Sequence, residues 1–138
     1  MSNNFSQQSL DRLNGVHPAL QDLCFAVLPV HDCKVIYGLR TVAEQQKLVE
    51  QKLSKTMNSK HLMQPDGFGH AVDLAPYPID WDNTKRFYYL AGMMMAFAPL
   101  HLPKGYTLRW GGDWDMDNDL DDQKFMDLVH FELRKVDI

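Results

Sequence analysis

Two cysteines, Cys24 and Cys33, are all that this chain of 138 residues offers for covalent staples. That excludes a disulfide framework. A chain of this length buries roughly two-thirds of its unfolded surface and needs no staples. Cys24 falls inside the apolar pattern LQDLCFAVL and reads as a packing residue; Cys33 lies just before an apparent strand. Long apolar runs are also missing. The longest candidate, LAGMMMAFAPL, is too short to span a bilayer, so membrane insertion is not expected. The polar start MSNNFSQQSLDRLNG lacks the basic and apolar regions of a secretory signal, which predicts synthesis and retention in the cytoplasm. Charge of one sign is not in large excess. The net charge is −4, without a strong run of Lys and Arg, so nothing points to nucleic acid or a membrane surface. Linkers, repeats and low-complexity segments are absent. Residues 1–138 are therefore expected to form one domain, acting as a monomer.

What is present is a globular composition, 45% hydrophobic and 23% charged. Pro18 to Leu28 carries Leu20, Leu23, Cys24 and Val27 at helical spacing, with Pro18 in the first turn and Pro29 ending the run. KVIYG, residues 34–38, is β-like. Thr41 and Glu44 form a capping-box pair ahead of a helix reaching about Leu53. HAVDLAPY alternates and reads as a strand. A third helix is expected over Thr84 to Ala98, capped by Asp82 or Asn83 and stopped by Pro99. The run Met93–Met95 belongs to its core. TLRW and LVHFEL are further strands. Helices come mainly early and strands mainly late, which predicts an α+β domain with a small antiparallel sheet packed against helices.

One stretch concentrates chemistry: SKHLMQPDGFGHAVDLAPY, residues 59–77. In the strand it contains, Val72 and Leu74 face the core, while Ala71, Asp73 and Ala75 share the other face. The small alanines leave a cleft beside Asp73. His61 lies across a Gly- and Pro-containing loop that can fold back. A histidine and an aspartate brought together this way supply two metal ligands, and a catalytic zinc site takes three from protein. His130, in DLVHFEL, is the best third candidate. His17, His31 and His101 sit beside turns or between leucines and are read as structural or surface residues.

Ser59-Lys60-His61 followed by Gly69-His70-Ala71-Val72-Asp73 resembles the S-x-H-x-x-G-x-A-x-D signature of the M15 family of zinc peptidases. That family includes D-Ala-D-Ala dipeptidases and carboxypeptidases, and the L-alanyl-D-glutamate peptidases of phage endolysins. Gly38-Leu39-Arg40-Thr41 resembles its G-x-R-T segment. Arg109-Trp110-Gly111-Gly112-Asp113-Trp114 resembles R-[WF]-G-x-D-W, and Asp127-Leu128-Val129-His130 resembles the late [DE]-x-x-H element. The four matches are in order over about residues 35 to 133 and are most similar to the phage L-alanyl-D-glutamate peptidases. The departure is Leu62–Phe68, seven residues where the signature has two. A surface insertion of that size costs little loop-closure entropy, and it leaves His70 as the alternative ligand to His61.

The resemblance implies a hedgehog/D-Ala-D-Ala-peptidase-like fold with zinc on His61, Asp73 and His130. It implies Asp127 as general base, with Glu132 as the alternative on the face that His130 shares. Arg40 would stabilise an oxyanion or hold a substrate carboxylate, and Ser59 would bind substrate or orient the metal loop. The implied function is hydrolysis of the L-Ala–D-Glu bond of bacterial peptidoglycan by a phage endolysin, which reaches the wall after membrane permeabilisation and has no separate wall-binding domain. A D-Ala-D-Ala dipeptidase or carboxypeptidase, and a non-catalytic zinc-bearing binding module, remain the alternatives.

Carboxylates at Asp113, Asp115, Asp117, Asp119 and Asp121 open like a calcium loop. Asn118 then replaces the turn glycine and Lys124 stands where the bidentate glutamate would be. Calcium is expected here as an activator, against the alternative of a solvated acidic loop.

Overall fold

The computed structural model describes residues 3–54, 56–121 and 126–136. Eight elements follow one another: α1 (Gln7–Leu13), α2 (Pro18–Val27), β1 (Cys33–Tyr37), α3 (Val42–Glu50), β2 (Ala71–Pro76), α4 (Thr84–His101), β3 (Tyr106–Gly111) and β4 (Asp127–Lys135). The strands form one antiparallel sheet in the order β1-β2-β4-β3. The α+β expectation is met. β1 and β2 come before α4, and β3 and β4 after it, the order that the segments 34–38, HAVDLAPY, Thr84–Ala98, TLRW and LVHFEL predict.

The local signals explain most boundaries. Pro18 occupies the first turn of α2, and Thr41 with Glu44 makes a reciprocal capping box at the start of α3. α3 ends at Glu50, short of the expected Leu53. α4 does not stop at Pro99 but runs to His101. Pro99 lies in the last turn, where little helix remains for its missing N–H to disrupt. α1 was not anticipated in the polar N-terminal stretch. Ser6 caps it by accepting a hydrogen bond from the Ser9 amide, and Leu13 is buried.

α4 packs on α2 and across β2, β3 and β4, so the core lies between the sheet and these helices. Leu20, Leu23, Leu74, Leu90, Met94, Leu108, Phe131 and Leu133 fill it. Met94 is fully buried, with Met93 and Met95 packed at its edge, as the methionine run predicts. Cys24 and Cys33 are free and buried, and Cys33 begins β1 rather than preceding it. Burial pushes the Cys33 thiol up to about 12, so it is protonated and inert at neutral pH.

β2 departs from simple alternation. All six of its residues are buried, so the face carrying Ala71, Asp73 and Ala75 is covered too. The reason is position: β2 is interior to the sheet, between β1 and β4, and the His61 side chain meets Asp73 on its second face.

Candidate functional site

Asp73 on β2 lies directly opposite His130 on β4, and their side chains project from the same face. The loop after α3 returns His61 to this point. The Arg40 amide donates to the His61 carbonyl over 2.8 Å, and the His61 amide donates to Ser59 Oγ over 3.1 Å. Ser59 Oγ thus ties down the backbone of the loop that carries His61. The result is a buried triad. Asp73 Oδ1 is 3.1 Å from His61 Nε2 and 3.2 Å from His130 Nδ1. One donor atom from each residue lies within 4.8 Å of the others.

The outer nitrogens of both rings are occupied. His61 Nδ1 is 2.9 Å from the Gly38 carbonyl, an acceptor, so that nitrogen carries the proton. His130 Nε2 is 2.8 Å from Glu132 Oε1 and donates to it. In the neutral tautomers that these contacts favour, each ring turns a lone pair towards Asp73, the arrangement a metal requires. A tetrahedral ion with ~2.0–2.1 Å bonds separates its donor atoms by about 3.3 Å, close to the spacings around Asp73 Oδ1. The electrostatics agree. Burial opposes charge on His130, yet its hydrogen bonds to the Asp73 and Glu132 carboxylates raise its pKa to about 9, so without a metal the site favours a second proton on this ring. Burial likewise opposes charge on Asp73, but His130 and His61 hold its carboxyl well below the usual range. Two buried carboxylates converge on a spot that demands positive charge.

Two motif glycines make this geometry possible. A side chain on Gly38 would collide with the Arg12 carbonyl, and one on Gly111 would collide with the Asp127 carbonyl. The second contact accompanies a register shift: Trp110 pairs with Phe131, but Gly111 pairs with Asp127. The irregularity brings Asp127 close enough for the charges of Asp73, His130 and His61 to act on it. Burial, then the Asp73 charge, raise its pKa.

Arg40 is held from two sides. Its guanidinium lies 5.3 Å from the centre of the Tyr37 ring, and Nη1 donates to Gln45 Oε1 over 2.8 Å. Gln45 is fully buried and also donates to Ser54 Oγ and the Thr56 carbonyl. Both oxygens of Glu132 are engaged, since Arg109 Nη2 donates to the second over 3.0 Å. Sequence reading missed Gln45 and Arg109 as supporting residues. Arg109 was legible in principle, since Glu132 shares the face of His130 and a buried carboxylate needs a cation.

His70 does not join the triad. Its Nε2 is 2.7 Å from Asp66 in the inserted loop, with His17 alongside. These three residues also bring ligand atoms together. His17 Nδ1, however, accepts the Ala19 amide at the start of α2, so its Nε2 carries the proton in the neutral ring and cannot ligate. His17 is a helix cap, and the group is an inward anchor for the insertion.

In the acidic loop Asp113, Asp115 and Asp117 converge, while Asp119 and Asp121 lie outside that group. Asp122 and Lys124 fall outside the described residues. Asp113 is 8% exposed and its Oδ1 accepts no hydrogen bond among the described residues. Burial and the facing Asp115 and Asp117 carboxyls push its pKa up.

The family model for phage L-alanyl-D-glutamate peptidase matches residues 1–134. The chain belongs to the phage L-alanyl-D-glutamate peptidase family. The L-alanyl-D-glutamate peptidase of Escherichia phage T5 is 30% identical over 131 residues, 89% of this chain and 90% of the phage protein. Among solved structures, the L-Ala D-Glu endopeptidase ChiX of Serratia marcescens matches with a TM-score of 0.73 and 27% identity, covering 96% of this chain and 91% of its own. In this family member the inserted loop, the triad and the acidic loop all belong to one small α+β domain.

Proposed function

We propose that this chain is a zinc-dependent peptidase that hydrolyses the L-Ala–D-Glu bond of the peptidoglycan stem peptide. The observation that carries the reading is the triad: His61, Asp73 and His130 present converging donors, and both rings have their outer nitrogens tied down. The chemistry that zinc supplies when bound is a polarised scissile carbonyl and a water acidified towards ~7.

The remaining work belongs to the chain's own residues. Asp127 takes the proton from the attacking water and returns it to the departing D-Glu amine. Its raised pKa makes it a better proton acceptor than an exposed aspartate. The Arg40 guanidinium makes no hydrogen bond besides that to Gln45 among the described residues, which leaves donors for an oxyanion or a substrate carboxylate. Glu132 orients His130 and does not exchange protons with substrate.

The protein is read as a phage endolysin that meets the wall once the membrane has been permeabilised. No described helix is long and apolar enough to cross a membrane. Calcium at Asp113, Asp115 and Asp117 is proposed as an activator, supported by the buried Asp113 Oδ1, which accepts no hydrogen bond among the described residues.

The test is digestion of purified peptidoglycan by the zinc-loaded protein, with mass spectrometry of the released fragments. A new N-terminal D-Glu is the expected product. Release of D-Ala would turn the reading to a carboxypeptidase, and no release would turn it to a binding module.

A further inference from the structure

Beside Asp127 a groove of about 240 Å³ is lined by Trp81, Phe87, Met126, Leu128 and Val129, with Asp127 itself at one wall. It is smaller than the ~300–1,000 Å³ of a whole ligand pocket, so it has the size of a subsite. Its most prominent feature is Trp81. The indole is 59% exposed, yet it stacks on the buried Phe87 ring, with centroids 5.5 Å apart and planes 23° from parallel. Phe87 belongs to α4, the central helix of the core. An exposed indole fixed in this way is a flat apolar platform whose orientation is set before anything binds.

We infer that this groove is a saccharide subsite, taking the muramyl sugar to which the stem peptide is attached. The inference rests on the proposed function. In peptidoglycan the L-Ala amine is acylated by the lactyl group of muramic acid, so one amino acid separates the scissile bond from the sugar. Fully extended, L-Ala and the lactyl unit span about 7 Å. A sugar must therefore sit next to the reacting carbonyl, and Asp127 is common to the cleft and the groove.

The charge pattern chooses between the two ends of the substrate. The stem beyond the scissile bond carries carboxylates. Among the described residues, the groove at Trp81 is lined by no cation and one anion, Asp127. A separate groove, lined by Tyr37, Arg40, Glu44 and Lys47, sets two cations against one anion and so leans to the charge that such a chain needs. An uncharged pyranose ring, with C–H faces for the indole and hydroxyls for the carboxylate rim, suits the Trp81 side.

The experiment compares two substrates with the zinc-loaded full chain: a muramyl pentapeptide, and the same pentapeptide bearing a simple N-acetyl group. The wild-type protein should have the higher kcat/KM on the muramyl substrate. Trp81→Ala should lose roughly three- to tenfold more kcat/KM on the muramyl substrate than on the acetyl one, mainly through KM. Trp81→Phe, which keeps a flat ring, should recover most of the difference. Equal losses on both substrates, or none on either, overturn the saccharide subsite. So does a wild-type protein that cuts both equally well, a result that depends on no variant. Cleavage of neither substrate between L-Ala and D-Glu overturns the functional reading itself, and the subsite with it.

Discussion

Glu132 accepts the Nε2–H of His130 over 2.8 Å and thereby decides which nitrogen of that ring faces Asp73. Arg109 holds the same carboxylate from its other side. The pair is a histidine–carboxylate support of the kind that tunes metal sites. Its disruption should be felt in metal affinity before it is felt in proton transfer. Glu132→Ala is expected to weaken zinc binding about 10–100-fold, measured by competition with a chelator. Activity should return largely when zinc is supplied in excess.

Asp127→Asn should behave in the opposite way. It keeps the side-chain volume and loses the proton acceptor. Zinc content should stay at one per chain while kcat falls at least ~10²-fold, the usual scale for general-base catalysis. Full zinc occupancy with a larger kcat loss in the Glu132 variant would transfer the base role to Glu132.

The ligand set is open to a simple count of metal after dialysis. His61→Ala, Asp73→Ala and His130→Ala should each lose zinc and activity, since each removes one of three converging donors. His70→Ala should retain both, because His70 is turned towards Asp66. Zinc retained by the His61 variant and lost by the His70 variant would reverse the assignment.

How far the sequence could be read depended on the kind of signal each residue carried. Thr41 with Glu44, and Pro18, act through neighbours a few positions away, and their helices start where expected. His61, Asp73 and His130 were legible because the family motifs put their spacings in context. Gln45 was not, since nothing local distinguishes a fully buried glutamine from a surface one on a polar helix. Its partners, Arg40 and Ser54, meet it only after the chain has folded. The covered face of β2 was missed for the same reason: alternation describes a strand and not the side chains, such as His61, that meet it in the fold. The approach of Asp127 to the triad depends on a register shift opposite Gly111, which no propensity encodes.

Gln45 therefore offers a test of positioning at a distance. Gln45→Leu removes the acceptor for Arg40 and the donor to Ser54 and Thr56. Leaving such partners unsatisfied costs about 1–3 kcal/mol of stability. Activity should fall by more than the folded fraction accounts for, because Arg40 loses its fixed orientation, while zinc content is unchanged. Gln45→Glu, which keeps the acceptor, should preserve more activity than Gln45→Leu at equal melting temperature. Activity that tracks the folded fraction alone in both variants would reduce Gln45 to a packing residue.

The acidic loop carries the last prediction. Asp113, Asp115 and Asp117 bring three carboxylates together, and one oxygen of the buried Asp113 accepts no hydrogen bond among the described residues. Like charges at this spacing repel, and burial adds to the cost of ionising Asp113. A hard divalent cation would relieve both, since carboxylate and carbonyl oxygens are its preferred ligands. The loop runs from β3 towards β4, where Asp127 begins the strand that carries His130. Ordering it would steady the base. Calcium at about millimolar concentration or below should raise both melting temperature and turnover of the zinc-loaded enzyme, and magnesium should do so far less, because it holds to octahedral geometry and sheds water reluctantly. Asp115→Asn with Asp117→Asn should abolish the calcium response while leaving zinc content intact. A calcium response that survives this double substitution, or no calcium-specific change in the wild-type protein, would return the three aspartates to an ordinary solvated turn.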